Sequence, residues 1–308
     1  MNRILIIRGG AIGDFILTLP AIKALRDAYP TTVIEILGYK QIAALAEQRF
    51  YADAVRSIEY GSLSGFFAKN SDLNQELCDY FRSFDLVISY LFDPDTIFER
   101  NLRISGVRRI LTGPAKIRSG LHAARQLAAP VESLDIELTD YQPIVFPSPA
   151  DQAFAREFLN GLSQTVIALH PGSGSTRKNW PLDKWIAIGE QLLGENHSLL
   201  IVSGEADQSQ LEVLRKQWQR PDVRFAHNLA LPNLAAVLAE TFFVGHDSGI
   251  SHLAAAAGAK CLLIFGPSDP DVWAPPGDNV RVIRAPSGNL SQLSIGTVMA
   301  TLKMWERP

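Results

Sequence analysis

The chain has 308 residues, enough for two domains of about 150, and its 47% hydrophobic and 20% charged content is that of a folded globular protein rather than a disordered one. Its 29 basic and 32 acidic residues leave a net charge of −3, so no global field draws it to nucleic acid. The first apolar run, Ile4–Ile7, ends at Arg8 and is too short for a signal peptide or a membrane span. With Cys78 and Cys261 both in apolar surroundings and without metal-ligand spacing, this predicts a cytoplasmic protein with reduced thiols that can touch a membrane without crossing it.

Short apolar runs alternate with amphipathic stretches from the start. Strands are predicted at Ile4–Ile7, Val33–Leu37, Val55–Ile58 and Leu86–Tyr90. Helices are predicted at Phe15–Ala28, Gln41–Arg49, Leu73–Phe81, Ile97–Ile104 and Lys116–Leu127. The prolines Pro143, Pro147 and Pro149 break the pattern and mark Thr139–Pro149 as a linker. The theme then restarts with strands at Val166–Leu169, Leu199–Val202, Val223–Ala226, Phe242–Val244 and Cys261–Phe265. Helices begin near Leu182, Ser209, Leu234 and Ile250, and a last one covers Ile295–Trp305. Five βα units in order make a doubly wound sheet, which binds ligands outside the carboxyl ends of its strands. The expected architecture is α/β: two Rossmann-like domains, residues 1–148 and 149–308, facing across a cleft where a ligand would sit.

Two strand-to-helix junctions carry the chemistry. His170-Pro171-Gly172-Ser173-Gly174-Ser175-Thr176-Arg177-Lys178-Asn179-Trp180-Pro181 follows one apolar run, and Gly245-His246-Asp247-Ser248-Gly249-Ile250-Ser251-His252 follows another. Small residues running from a strand into a helix expose backbone N–H groups at the positive end of the helix dipole, which is a ready anion site. Two such junctions in one α/β unit, with Arg177 and Lys178 beside them, suggest a diphosphate held between them. The acid-free stretch from Arg100 to Val131, with Arg100, Arg103, Arg108, Arg109, Lys116, Arg118 and Arg125, points to an anionic partner unless these residues cap helices or pair with distant acids.

At the amino terminus, Arg8-Gly9-Gly10-Ala11-Ile12-Gly13-Asp14 supplies two glycines of a dinucleotide fingerprint but has Arg8 at the first position. The second strand ends without a ribose-binding acid. Asp14 by its spacing is either a helix N-terminal cap or a general base. Asp93-Pro94-Asp95 and Asp269-Pro270-Asp271 could be metal-binding Asp-x-Asp pairs, but proline-containing Asp pairs are also common turns, and Lys178 with the two loop N-termini already supplies the charge a cation would. No metal is expected. His170 and His252 lie inside the motifs and could be hydrogen-bonded structural residues, and no Gly-x-Ser-x-Gly nucleophile elbow occurs.

Taken together, Gly13-Asp14 with Thr18-Leu19-Pro20-Ala21, Lys178-Asn179-Trp180-Pro181, Asp247-Ser248-Gly249-Ile250-Ser251-His252-Leu253 and Phe265-Gly266-Pro267-Ser268-Asp269-Pro270 resemble the bacterial ADP-heptose–lipopolysaccharide heptosyltransferases of glycosyltransferase family 9. The resemblance runs the whole length and extends to Arg284-Ala285-Pro286 and Asn289-Leu290-Ser291-Gln292-Leu293. It implies a GT-B fold and an inverting, metal-independent transfer of a heptose or related sugar from an ADP-sugar co-substrate to an anionic, lipid-linked glycan acceptor. Carried over by position, Asp14 is the base and Lys178 the lysine on the donor phosphates. Ser173, Ser175, Thr176, Asp247, Ser248, Gly249 and His252 fall in the donor motifs, and Leu229 falls near adenine. Glu205 and Asp207 are alternative ribose ligands. Arg8, Gly13, Arg118 and Arg125 fall on the acceptor side, with Arg8 orienting the acceptor. The segment Gly113–Arg118 departs from those relatives, which leaves acceptor and sugar open. The competing classes are a transferase with another nucleotide-sugar donor, an NAD(P)-dependent oxidoreductase, and a non-catalytic sugar-nucleotide binder. The broken glycine fingerprint counts against the oxidoreductase, and the retained Asp14 and Lys178 against the binder.

Overall fold

In the computed structural model, which describes residues 1–163 and 165–306, the chain divides into two compact units, Met1–Phe146 and Pro147–Pro308. The first contains β1 (Arg3–Arg8), α1 (Ile12–Ala28), β2 (Val33–Gly38), α2 (Lys40–Ala43), β3 (Ala54–Ser57), α3 (Gln75–Arg82), β4 (Leu86–Ser89), α4 (Ile97–Ile104), β5 (Ile110–Thr112) and α5 (Ala123–Glu132). Its sheet is parallel throughout, in the order β3-β2-β1-β4-β5. Ile4, Leu5, Ile6 and Ile7 are all fully buried. A central parallel strand is covered by helices on both faces, so an unbroken apolar run suits it where an alternating one would not.

The second unit contains α6 (Pro149–Leu159), β6 (Val166–His170), α7 (Leu182–Gly194), β7 (Ser198–Ser203), α8 (Gln208–Gln217), β8 (Val223–His227), α9 (Leu231–Ala239), β9 (Phe242–His246), α10 (Gly249–Ala256), β10 (Lys260–Phe265), α11 (Pro270–Trp273), β11 (Val280–Arg284) and α12 (Ile295–Glu306). Its parallel sheet runs β11-β10-β9-β6-β7-β8. Chain order reverses between β6 and β9, and this is the switch point where doubly wound sheets open a crevice for ligands. The two glycine-rich junctions leave these two neighbouring strands, whose last paired residues are His170 and Gly245.

Four expectations need correction. The helix expected at Gln41–Arg49 stops at Ala43, because the Arg49 guanidinium takes the Ala44 and Glu47 carbonyls (2.7 and 3.1 Å) and Gln48 turns the chain back in a left-handed conformation. The helix expected at Lys116–Leu127 begins only at Ala123. Gln126 bonds both the N–H and the carbonyl of Arg118 (2.9 and 2.8 Å), which holds the preceding segment as a loop, and His122 caps the helix through Ala124 N–H. Pro149 is the first residue of α6 rather than linker, with Ser148 and Asp151 capping that end reciprocally. Each sheet has one strand more than expected, five and six rather than four and five, since β5 and β11 add edges.

Packing in the second unit is tight at Gly189, in the interior of α7, where an added Cβ would lie 2.3 Å from the buried Trp218 ring. Alanine there gains helix propensity of about 1 kcal/mol, but overpacking costs about 1–3 kcal/mol. Gly189→Ala should therefore lower the urea midpoint; a higher midpoint would show that the Trp218 ring has room to move.

Candidate active site

The two glycine-rich junctions of the second unit are built on one buried histidine. His246 ends β9, is wholly buried and receives the Trp180 backbone N–H on Nε2 at 2.7 Å. That nitrogen must carry the lone pair, so the proton sits on Nδ1, which faces the Gly172 carbonyl at 3.4 Å. One ring thus ties both ends of segment 172–180 to the end of β9, while its edge packs on Trp185 and Trp185 on Trp180. Desolvation pushes the His246 pKa down to about 3, against the opposing pull of the Gly172 carbonyl. Sequence reasoning passed over His246. Its signal was a polar residue ending an apolar strand inside a motif.

The pinned segment carries Lys178, whose Nζ is 2.6 Å from Asp247 Oδ2, the residue after His246. The Asp247 side chain is 9% exposed and the Lys178 side chain 36%, so the lysine side chain keeps access to solvent. Ser248 caps α10 through Ser251 N–H at 3.3 Å, and its Oγ lies 3.3 Å from His170 Nδ1. The first N–H groups of α10, at Gly249 and Ile250, have no partner within the helix. Lys178, Asp247 and the α10 N-terminus therefore meet at the β6/β9 switch point.

The other residues expected on the donor side divide by burial. Thr176 and Glu205 are exposed, and Ser175 and Leu229 are half-buried. Ser173 spends its hydroxyl within the loop, on the Ser175 carbonyl and Asn179 Oδ1 (2.8 and 2.6 Å). His252 is buried in α10. Asp207 is 8% exposed and closes back on Gly204 N–H (3.0 Å) and His170 Nε2 (3.6 Å). Burial alone would raise its pKa, but His170 and the Gly204 N–H outweigh it and hold the carboxyl below its ordinary value. Gly172 is required here: a Cβ on it would overlap Asp207 Oδ1 at 1.8 Å.

In the first unit, the β1–α1 junction holds its own carboxylate. Asp14 lies in the first turn of α1, with Oδ2 accepting Ala11 N–H at 3.0 Å, and Gly10 reaches the necessary turn at φ 94°. An anion already occupies this helix N-terminus, which disfavours a dinucleotide phosphate there. Arg8, only 7% exposed, donates to the Asp14 carbonyl at 2.9 Å and lies 3.6 Å from Asp14 Oδ1, with the buried Tyr90 ring beneath its guanidinium. Burial draws Arg8 below its ordinary pKa, partly offset by Asp14 and Tyr90. Gly13 is in the same turn. Arg118 and Arg125 are exposed, on the loop before α5 and on α5 itself, with Arg125 over the Tyr141 ring. Of the paired aspartates, Asp93 caps α4 through Ile97 and Glu99 N–H, Asp269 caps α11, and Asp271 pairs with Arg284 at 2.7 Å. Among the described residues no helix is long and apolar enough to cross a membrane.

The model of glycosyltransferase family 9 (heptosyltransferase) matches residues 109–303. The chain belongs to that family. It is a glycosyl-transferring enzyme with the GT-B fold. Lipopolysaccharide heptosyltransferase 3 of Escherichia coli is 21% identical over 296 residues, 87% of this chain and 84% of the relative. Lipopolysaccharide heptosyltransferase 1 of E. coli O18:K1:H7 is 32% identical, over 48% of this chain and 46% of that one. Among solved structures, E. coli ADP-heptose lps heptosyltransferase II superposes with a TM-score of 0.79 at 18% identity, covering 99% of this chain and 98% of that one. E. coli heptosyltransferase WaaC with ADP gives 0.73 at 21% identity, covering 98% and 99%.

The depressed His246 pKa makes a pH prediction. A histidine kept neutral by burial contributes stability that is complete above its unfolded pKa of about 6.5 and is lost as pH falls from there toward 3. Between pH 7 and pH 5 this one group should cost ~2 kcal/mol, read from urea midpoints. His246→Asn should lose less over the same interval; an identical loss would place the titrating group elsewhere.

Proposed function

We propose that this enzyme transfers a heptose from ADP-heptose to an anionic, lipid-linked core glycan, with inversion and without a metal. The observation that carries this reading is the Lys178–Asp247 pair beside the free N–H groups of α10 at the β6/β9 switch point. A lysine ammonium held by a nearly buried carboxylate stands where a leaving diphosphate gains charge, and the helix N-terminus adds its dipole. Ser175 and Thr176 contribute loop hydroxyls and N–H groups to the same phosphates, and Leu229 packs near the adenine. With Asp207 committed to His170 and Gly204, exposed Glu205 is the ribose ligand. WaaC is known with ADP, which supports the nucleotide.

Asp14 is the base of this reaction. Its Oδ2 is fixed by Ala11 N–H and the side chain is 39% exposed, so an acceptor hydroxyl can reach it. The hydroxyl proton passes to the carboxylate as its oxygen bonds the anomeric carbon and the carbon–oxygen bond to ADP breaks, with ADP leaving. Attack opposite the leaving group inverts the anomeric centre. The exposed Lys116, Arg118 and Arg125, with exposed Phe92 and Leu121, support an acceptor that is both anionic and lipid-linked and brings the enzyme to the inner membrane face.

The test is transfer from ADP-heptose to core lipopolysaccharide of heptose-deficient cells, followed by mass spectrometry of the product and NMR of the new anomeric centre. Transfer should persist in EDTA, and Asp14→Asn should lower the rate at least ~100-fold with ADP affinity unchanged. Turnover with a UDP-sugar in place of ADP-heptose would replace the donor.

A further inference from the structure

The Arg8 guanidinium has little reason to be buried on grounds of stability. It is 7% exposed, its Nε lies within the protein without a hydrogen-bond partner among the described residues, and the carboxylate near it is itself open to water. A charge moved out of water and only partly compensated costs more than an apolar side chain of the same length in the same place. Sequence resemblance put Arg8 on the acceptor, but the side chain turns inward. Its NH2 nitrogen serves two atoms of one residue, the carbonyl and Oδ1 of Asp14. The Tyr90 ring, fixed by its hydroxyl on the Leu127 carbonyl at 2.9 Å, forms the floor under the guanidinium.

We infer that Arg8 is a positioning residue that sets the rotamer of the Asp14 carboxylate. One carboxylate oxygen is held by Ala11 N–H and the other is steered by Arg8, so the lone pair facing solvent points in a single direction. The rigid guanidinium plane fixes where the N–H groups of that one nitrogen point, toward the carbonyl and the carboxylate of Asp14, whereas a lysine ammonium is a point charge on a flexible stem. A misplacement of the base by an ångström is enough to slow proton transfer by two orders of magnitude. This inference rests on Asp14 being the base.

The experiment compares Arg8→Met, Arg8→Lys and Asp14→Asn in steady-state transfer from ADP-heptose to the same heptose-deficient core, with thermal melting and ADP calorimetry on each. Arg8→Met should lower kcat about 10- to 100-fold, leave ADP affinity and acceptor KM near wild type, and melt no lower than wild type. Arg8→Lys should recover part of kcat. A raised acceptor KM with kcat intact would make Arg8 an acceptor ligand and overturn the inference. A kcat loss that follows a lowered melting temperature, in both Arg8 variants, would make its role structural and overturn it too. Wild-type turnover by Asp14→Asn would remove the base itself; an inactive Asp14→Asn beside a fully active Arg8→Met would sink the positioning role alone.

Discussion

The hydrogen bond from Trp180 N–H to the His246 ring, 2.7 Å long and wholly buried, is the constraint on which the β6/β9 junctions depend. A loop with three serines or threonines and two glycines has no local reason to keep one shape in water. Here one imidazole accepts at one end and faces a carbonyl at the other, so the loop between Gly172 and Trp180 is closed against β9. Burial keeps that imidazole neutral, which is the state the two contacts need. Lys178 and Asp247 then meet because their neighbours in sequence are already fixed.

The two units put the same local geometry to opposite uses. In each, a central parallel strand gives way through small residues to the N-terminus of a helix. After β9 Ser248 takes the Ser251 N–H, and the preceding Asp247 holds a lysine. After β1 the helix N-terminus is filled by Asp14, whose carboxylate takes Ala11 N–H and faces Arg8. The first arrangement leaves a helix N-terminus that favours an arriving anion, while the second already holds a carboxylate there.

Much of this was legible in the sequence. Continuous apolar runs such as Ile4–Ile7 and Val166–Leu169 mark central parallel strands, and the glycine-rich junctions fall at the end of the second sheet where they were expected. What escaped depended on side chains folding back onto backbone: Arg49 on the Ala44 carbonyl, Gln126 on Arg118, Ser148 with Asp151. The edge strands escaped as well: β5 offers only the pair Ile110-Leu111, and arginines at 281 and 284 interrupt and end β11. Neither the burial of Asp207 against His170 and Gly204 nor the inward turn of Arg8 could be read from spacing, since both depend on tertiary packing. His246 was hidden because a histidine among apolar residues has no characteristic spacing.

The claim that the β6/β9 junction is the diphosphate site is tested most directly by calorimetric titration of the wild type and Lys178→Met with ADP and with adenosine. Loss of one charge-assisted contact should weaken ADP about 10- to 100-fold and leave adenosine unchanged. Equal weakening of both ligands, or of neither, would contradict the account and move the phosphates away from Lys178.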